Sequence, residues 1–185
     1  MPEAVFVPRP ILVGMPGAGK SSVARQLGQR LRLPVVDTDA VIEARIGVSI
    51  RSFFQSEGEA AFRDLEEQVI AELTGGEPKV LATGGGAVLR RANRARLHAG
   101  GTVIYLRIFP EQLYRRLNKD TKRPLLQVAD PLARLQALYA ERDALYRECA
   151  HFVLDAHGVS LGMLVNKVVM QLDLMQLSRP GARAP

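Results

Sequence analysis

A glycine-rich segment, GMPGAGKSS at positions 14–22, has the residue types that bind phosphate. Its glycines, Lys20 and Ser21 fit the pattern G-x-x-x-x-G-K-[ST], directly after an apolar stretch. In such a loop the backbone N–H groups surround phosphate oxygens, the lysine neutralises the outer phosphates and the serine hydroxyl meets Mg²⁺. The segment therefore predicts a nucleoside triphosphate site with Lys20 in a catalytic role. The predicted binding residues are Gly17, Ala18, Gly19, Lys20, Ser21 and Ser22.

Two carboxylates follow the second apolar stretch, in the segment VVDTDAV at positions 35–41. In an extended chain residues i and i+2 point the same way, so Asp37 and Asp39 would both face one cleft. One carboxylate would then serve the metal, and the other would meet the acceptor hydroxyl and take its proton. Helix capping is the alternative for either residue. Spacing alone does not separate the two, and the neighbouring phosphate loop favours the catalytic interpretation.

The third apolar stretch ends in three consecutive glycines, within KVLATGGGAVL at positions 79–89. In many phosphate-loop proteins a later strand ends in an acidic residue that helps to hold Mg²⁺. No carboxylate occurs here. Either the metal is held elsewhere, with Asp37 and Asp39 as the candidates, or the third strand serves another purpose.

Short apolar stretches alternate with helical patterns along the chain, which predicts an α/β fold with an open parallel sheet of about five strands. The predicted strands are 10–13, 34–36, 80–82, 102–106 and 152–154, all continuous apolar runs typical of strands covered on both faces. The predicted helices are 20–31, 50–73, one that opens at Asp130-Pro131, and 161–172. We expect a single domain over 1–177 and a disordered tail over 178–185.

Composition narrows the class of protein. The chain has 185 residues, a single cysteine and no apolar run of the length that spans a membrane. These features predict a cytoplasmic protein without membrane contact. The net charge of +6 comes partly from arginine clusters at 90–96 and 115–123, which contain no aromatic residues suited to stacking on bases. We expect no nucleic-acid partner, and a basic face or an anionic small-molecule site instead.

Six motifs, taken in order, resemble the shikimate kinase family. They are the phosphate loop, D-T-D at 37–39, G-E-x-x-F-R-x-x-E at 58–66, T-G-G-G at 83–86, R-P-L-L at 123–126 and E-R-x-x-L-Y at 141–146. The resemblance covers roughly residues 9–155. It implies a three-layer kinase fold with strand order 2-3-1-4-5, a mobile lid at about 115–127 and a shikimate-binding segment at about 38–66. It also implies ATP- and Mg²⁺-dependent phosphorylation of the 3-hydroxyl of shikimate by a monomer.

The resemblance further implies roles for particular residues. Asp39 would contact the acceptor hydroxyls as a catalytic residue, and Ser21 and Asp37 would lie at Mg²⁺. Arg63 and Arg142 would bind the substrate carboxylate. The remaining implied substrate contacts are the backbone of Gly85 with Gly84 and Gly86 beside it, and apolar walls from Phe54 and Phe62. The remaining implied nucleotide contacts are Arg123, a catalytic residue on the lid near the phosphates, and Arg116 near the adenine.

Several alternatives stay open at this level. The alternative to substrate binding by Arg63 is an ion pair with Glu59 or Glu66 on the same helix, and Glu66 would serve both purposes if it orients Arg63. The alternative for Arg142 is a solvated position on a helix. Another small-molecule kinase of the same fold, such as a gluconate-type kinase, remains a rival. A G-protein interpretation fails because Asn166-Lys167 is not followed by the required aspartate. The segment after the fifth strand, DAHGVSLG, lacks the arginine and proline common in the family, so the adenine contacts are open.

Overall fold

The structure, a computed structural model, describes residues 8–117 and 128–177. The predicted tail, Arg123 and most of the predicted lid lie outside these ranges. Within them, no helix has both the length and the apolar character needed to cross a membrane.

A parallel sheet of five strands forms the centre of the fold. The strands are β1 (Pro10–Val13), β2 (Val35–Asp37), β3 (Val80–Ala82), β4 (Thr102–Arg107) and β5 (Phe152–Asp155). The helices are α1 (Lys20–Leu31), α2 (Thr38–Ile46), α3 (Ile50–Leu73), α4 (Arg91–Gly100), α5 (Pro110–Leu117), α6 (Pro131–Cys149) and α7 (Leu161–Leu177). The strand order is β2-β3-β1-β4-β5, which confirms the expected 2-3-1-4-5 arrangement.

Alternating side chains of the central strands divide the core into two halves. In β1, Ile11 and Val13 pack in one apolar cluster with residues of α4, α5 and α6, whereas Leu12 packs in a second cluster with α1 and α7. The same alternation holds in β4, where Tyr105 and Ile104 belong to opposite clusters. Helices therefore cover both faces of the sheet, which gives three layers.

The two edge strands depart from the expectation of complete burial. Val35 in β2 is 42% exposed and Val153 in β5 is 38% exposed, whereas β1 and β3 are buried throughout. An edge strand has a neighbour on one side only, so the helices above and below do not enclose it fully. The prediction of strands covered on both faces is confirmed for β1 and β3 and wrong for β2 and β5.

Three helices were not predicted, namely α2, α4 and α5. In α4 only Asn93 and Leu97 are buried, so its sequence carries little of the apolar periodicity that identifies a helix. The long helix expected over 50–73 is also interrupted, because Gly58 has φ 83° and ψ 173° and separates two helical segments. By contrast, α6 begins as expected: Asp130 accepts a hydrogen bond from the Ala133 N–H at 2.9 Å, and proline follows it.

Candidate active site

The phosphate loop joins β1 to α1 at the carboxyl edge of the sheet, where ligands bind in open α/β folds. Gly17 and Gly19 have φ of 84° and 97°, in the left-handed region that glycine adopts most easily. Gly19 caps α1 without a side-chain hydrogen bond. The first N–H groups of α1 therefore have no side-chain cap, as an anion-binding helix terminus requires.

Lys20 is held inside this loop. Its ammonium group donates hydrogen bonds to the carbonyl oxygens of Gly14 at 2.7 Å and Met15 at 2.9 Å, and the residue is only 8% exposed. Burial lowers the pKa of Lys20 to about 8, against the opposing influence of Asp39 and Asp37. The group is still largely protonated at neutral pH, so the loop carries a fixed positive charge.

Ser21 and Asp37, the two predicted metal ligands, lie in contact. The Ser21 hydroxyl donates to Asp37 Oδ2 at 2.9 Å, while Oδ1 accepts from the Asp39 N–H at 3.0 Å and caps α2. The capping alternative is therefore confirmed for Asp37, while its second oxygen contacts Ser21 in the first turn of α1. A hydroxyl and one carboxylate suit Mg²⁺, which takes few protein ligands beside waters and phosphate oxygens. Within residues 8–117 and 128–177, no group of three or more His, Cys, Asp or Glu side chains is arranged so that it could hold a metal ion by itself.

Asp39 lies at the cleft, but in a helix rather than in the extended segment that we expected. The extended conformation assumed for this residue is wrong, because α2 begins at Thr38 and Asp39 lies in its first turn. Its carboxylate faces Gly84, where an added Cβ would overlap Oδ1. Burial, and next the negative charges of Asp37 and Glu66, raise the pKa of Asp39 to about 6. A carboxylate with a pKa near neutrality is suited to accept a proton from a hydroxyl.

The three glycines after β3 are explained by what packs against each of them. A Cβ on Gly84 would overlap Asp39, one on Gly85 would lie 2.6 Å from Pro16 Cγ, and one on Gly86 would lie 2.5 Å from Arg63 Nη2. Each distance is below what a real Cβ tolerates. The bare backbone therefore gives room to a carboxylate, to the phosphate loop and to a guanidinium.

Arg63 is anchored on its own helix. Its guanidinium pairs with Glu66 Oε2 at 2.7 Å and with Glu59 Oε1 at 3.1 Å, which confirms the ion-pair alternative. Its Cζ also lies 5.2 Å from the ring centroid of Phe62 and 5.8 Å from that of Phe54. Glu66 is 1% exposed, and burial raises its pKa against the opposing charge of Arg63. The pairing keeps the guanidinium beside Gly86 rather than withdrawing it from the cleft.

Arg142, on α6, has a different environment. The side chain is 11% exposed, its Nε is buried without a hydrogen-bond partner, and the nearest acidic group, Glu141 Oε2, is 3.6 Å away. The alternative of a solvated helix position is therefore wrong. Its charge acts on both Lys20 and Glu66, so it lies near the cleft. The guanidinium also hydrogen-bonds to the Tyr146 side chain, so the Nε N–H is the group left without an acceptor, and a buried N–H of this kind is costly unless a ligand supplies one.

The phosphate loop, the two aspartates and the glycine turn line a cleft of about 460 Å³, whereas the predicted substrate residues Arg63, Arg142, Phe54, Phe62 and Gly86 are not among its lining residues. Its lining residues are Pro16, Gly17, Gly19, Lys20, Ser21, Ser22, Asp37, Asp39, Thr83, Gly84, Gly85, Arg116 and Leu117. Arg116 lies against the phosphate loop, since an added Cβ on Gly19 would be 3.2 Å from its Nη2. Of the predicted nucleotide residues, Ala18 is buried in the core and Arg123 falls outside the described residues.

Sequence reasoning missed three residues that shape the cleft. The Thr38 hydroxyl, fully buried, accepts a hydrogen bond from the Gly84 N–H at 2.9 Å and ties α2 to the glycine turn. Pro16 packs against Gly85. The Tyr146 hydroxyl donates to the Gly85 carbonyl at 2.6 Å. Pro16, Thr38 and Tyr146 all lie inside motifs that carry the family resemblance, and that was the available signal.

Comparisons with known proteins agree with this geometry. A family model described as shikimate kinase matches residues 16–173. A shikimate kinase of Paracidovorax citrulli is 56% identical over 172 residues, covering 91% of this chain and 94% of the relative. The solved shikimate kinase of Acinetobacter baumannii in complex with shikimate has a TM-score of 0.86 and 40% identity, covering 94% of this chain and 97% of that one.

A gluconokinase structure from Sinorhizobium meliloti has a TM-score of 0.60 at 18% identity, covering 94% of this chain and 99% of that one. This likeness shows a shared fold and nothing more. The family model covers most of the chain, and the Paracidovorax relative is far more similar in sequence. The chain belongs to the shikimate kinase family.

Proposed function

We propose that this chain transfers the γ-phosphoryl group of ATP to the 3-hydroxyl of shikimate, with Mg²⁺ as the metal. The observation that carries the proposal is the pair of largely buried guanidiniums, Arg63 and Arg142, close to the phosphate loop. Arg142 Nε has no hydrogen-bond partner, whereas Arg63 is already fixed by Glu66. Two such groups suit a carboxylate, which a guanidinium binds through parallel hydrogen bonds. Shikimate is a small polyol that carries one carboxylate.

On the phosphate side of the cleft, fixed positive charges would act on the phosphates of ATP. Lys20 neutralises negative charge that develops as the phosphoryl group moves, and the N–H groups at the start of α1 bind its oxygens. Ser21 and Asp37 would hold Mg²⁺, which when bound neutralises and orients the phosphates. Arg116 lies at Gly19 and would add charge to the nucleotide. Arg123, a position identified from the motif alone, is proposed to neutralise the transferred group as well.

The acceptor side of the cleft would supply the general base and would orient the substrate. Asp39 is the proposed proton acceptor, because its carboxylate lies between the phosphate loop and the glycine turn with a pKa of about 6. The ring centroids of Phe54 and Phe62 lie 4.6 Å apart. The two rings would form an apolar wall beside the carboxylate site. The shikimate ring could approach the backbone closely at Gly84, Gly85 and Gly86, because these residues have no side chains.

A gluconate-type kinase is the remaining rival, because gluconate is also a polyol carboxylate. The Arg63–Glu66 pair, Arg142 and the glycine turn favour the compact ring of shikimate. The basic segment at 90–96 offers little to nucleic acid, since Arg90, Arg94 and Arg96 pair with acidic side chains. We also propose that the chain is active as a monomer.

A coupled ADP-release assay tests the proposal across shikimate, gluconate and nucleoside monophosphates. We expect Mg²⁺-dependent turnover with shikimate and background rates with the others. Turnover with another acceptor and none with shikimate would refute the proposal.

A further inference from the structure

The glycine turn after β3 has all of its carbonyl groups occupied. The Gly84 carbonyl accepts from the Ala87 N–H at 3.1 Å, and the Gly86 carbonyl accepts from the Leu89 N–H at 3.0 Å, both within the turn itself. The Gly85 carbonyl is different, because its donor is the Tyr146 hydroxyl of α6 at 2.6 Å, 61 residues away in sequence. This bond is the one that ties the turn to the helix that carries Arg142.

The same bond fixes an N–H group. A trans peptide is planar, so its carbonyl and its N–H point to opposite sides. The Gly85 carbonyl belongs to the same peptide unit as the Gly86 N–H. This N–H has no hydrogen-bond partner among the residues that the structure describes. While Tyr146 holds the carbonyl on one side, the Gly86 N–H is presented on the other, and the Arg63 guanidinium occupies the space beside the Cα of the same residue.

A peptide unit between two glycines is unusually free to rotate. Neither residue has a Cβ to restrict the plane, so a flipped orientation costs less here than between residues with side chains. The hydrogen bond from Tyr146 is therefore needed to select one orientation before a ligand arrives. Selecting it in advance removes an ordering cost from binding.

Tyr146 is itself held rigidly. It is fully buried, and its ring lies 4.9 Å from that of Tyr105 in a stacked arrangement. Burial strongly raises the pKa of the Tyr146 hydroxyl and outweighs both the charge of Arg142 and its hydrogen bond to Tyr146, so the hydroxyl keeps its proton and also contacts the Arg142 side chain directly. Arg142 precedes it by four residues, on the same face of α6.

We propose that Tyr146 is a positioning residue for the acceptor. It locks the Gly85–Gly86 peptide so that the Gly86 N–H, Arg63 and Arg142 together face the carboxylate of the substrate. This inference rests on the proposed function and concerns the binding of shikimate, not the chemical step.

Tyr146→Phe removes the hydroxyl and keeps the ring. Tyr105→Phe is a matched control, because Tyr105 is equally buried and its hydroxyl donates at 2.9 Å to Asp143, outside the cleft. Initial rates with shikimate and ATP varied separately give KM and kcat, calorimetric titration gives the shikimate Kd, and thermal melting gives Tm. All rates are measured well below the Tm of both variants.

We expect Tyr146→Phe to raise the KM and Kd for shikimate about three- to tenfold, the value of one hydrogen bond. The KM for ATP should not change. Tyr105→Phe should leave both KM values unchanged even if its Tm falls as far. An unchanged shikimate KM in Tyr146→Phe, or equal changes in both variants, would overturn the positioning role. Absence of shikimate turnover in the wild-type chain would overturn the proposed function as well. The wild-type rate, measured before any variant, therefore distinguishes failure of the proposed function from failure of the positioning role.

Discussion

The guanidinium of Arg63 occupies the space in which Gly86 would carry a side chain. An added Cβ would lie 2.5 Å from Nη2, while Nη1 of the same guanidinium donates to Glu66 Oε2 at 2.7 Å. Arg63 is therefore confined between a glycine and a buried carboxylate. Its position depends on both, and each can be removed separately.

Replacing Gly86 by alanine tests the first constraint. The new methyl group would push the flexible end of Arg63 away, so the fold should survive while the carboxylate site is displaced. We expect the KM for shikimate to rise about ten- to hundredfold, since a charge-assisted hydrogen bond is lost. Steady-state kinetics measure the effect. Gly162→Ala is the control, because nothing lies within 4 Å of that position; equal KM values in the two variants would contradict the account.

Glu66→Gln tests the second constraint. Glu66 is buried and faces Arg63, whereas Glu59 pairs with the same guanidinium but is 62% exposed. Loss of the buried charge should lower the free energy of unfolding by about 1–3 kcal/mol and raise the KM for shikimate. Glu59→Gln should change both little, as exposed pairs usually do. Urea unfolding and initial rates measure the two effects, and equal behaviour of the two variants would show that the buried pair has no special role.

Asp39→Asn removes the proposed base while it keeps the size of the side chain. We expect kcat to fall about 10²- to 10⁴-fold, the usual contribution of a general base, while ATP still binds. Single-turnover rates and calorimetric ATP titration separate the two quantities. Retained turnover would remove Asp39 from the chemistry, and lost ATP binding would assign it to the nucleotide site.

Stability should depend on His151 at mildly acidic pH. The His151 ring stacks on His98 at 4.0 Å, and its Nδ1 accepts a hydrogen bond from the Val103 N–H at 3.0 Å. Burial, and next the charge of His98, lower the pKa of His151 below its usual value. The unfolded chain then binds the proton more strongly, so this contribution is fully present above about pH 6.5 and is lost as the pH falls below it.

Urea unfolding between pH 5 and pH 8 measures this dependence. In His151→Gln, we expect the loss of unfolding free energy between pH 8 and pH 5 to be smaller than in the wild type, because the group that takes up the proton on unfolding is gone. His157→Gln is the control, because His157 is exposed. If the profile of His151→Gln follows that of the wild type, His151 is not the group responsible.

The elements that position the site differ in how far sequence could predict them. The phosphate loop and the central strands followed from local patterns, because glycine spacing and continuous apolar runs reflect backbone demands directly. The first turn of α2 did not, since the capping of that helix by Asp37 competes with the extended conformation that the D-T-D spacing suggests. The burial of Arg142 was equally hidden, because a charged residue on a helix gives no sign of which face is covered.

The contacts of the glycine turn also could not be predicted from the sequence. Its three glycines indicated an unusual backbone, yet their partners come from the phosphate loop, α2, α3 and α6. Pro16, Asp39, Arg63 and Tyr146 meet there only after the sheet has formed. Contacts between residues so distant in sequence leave no periodic pattern.

The most direct test is a single reaction that contains ATP, Mg²⁺ and equal concentrations of shikimate and gluconate, with the products identified by phosphorus NMR. We predict shikimate 3-phosphate and ADP in equal amounts, with no phosphorylated gluconate. Phosphorylated gluconate as the main product, or a phosphate on another hydroxyl of shikimate, would contradict the account.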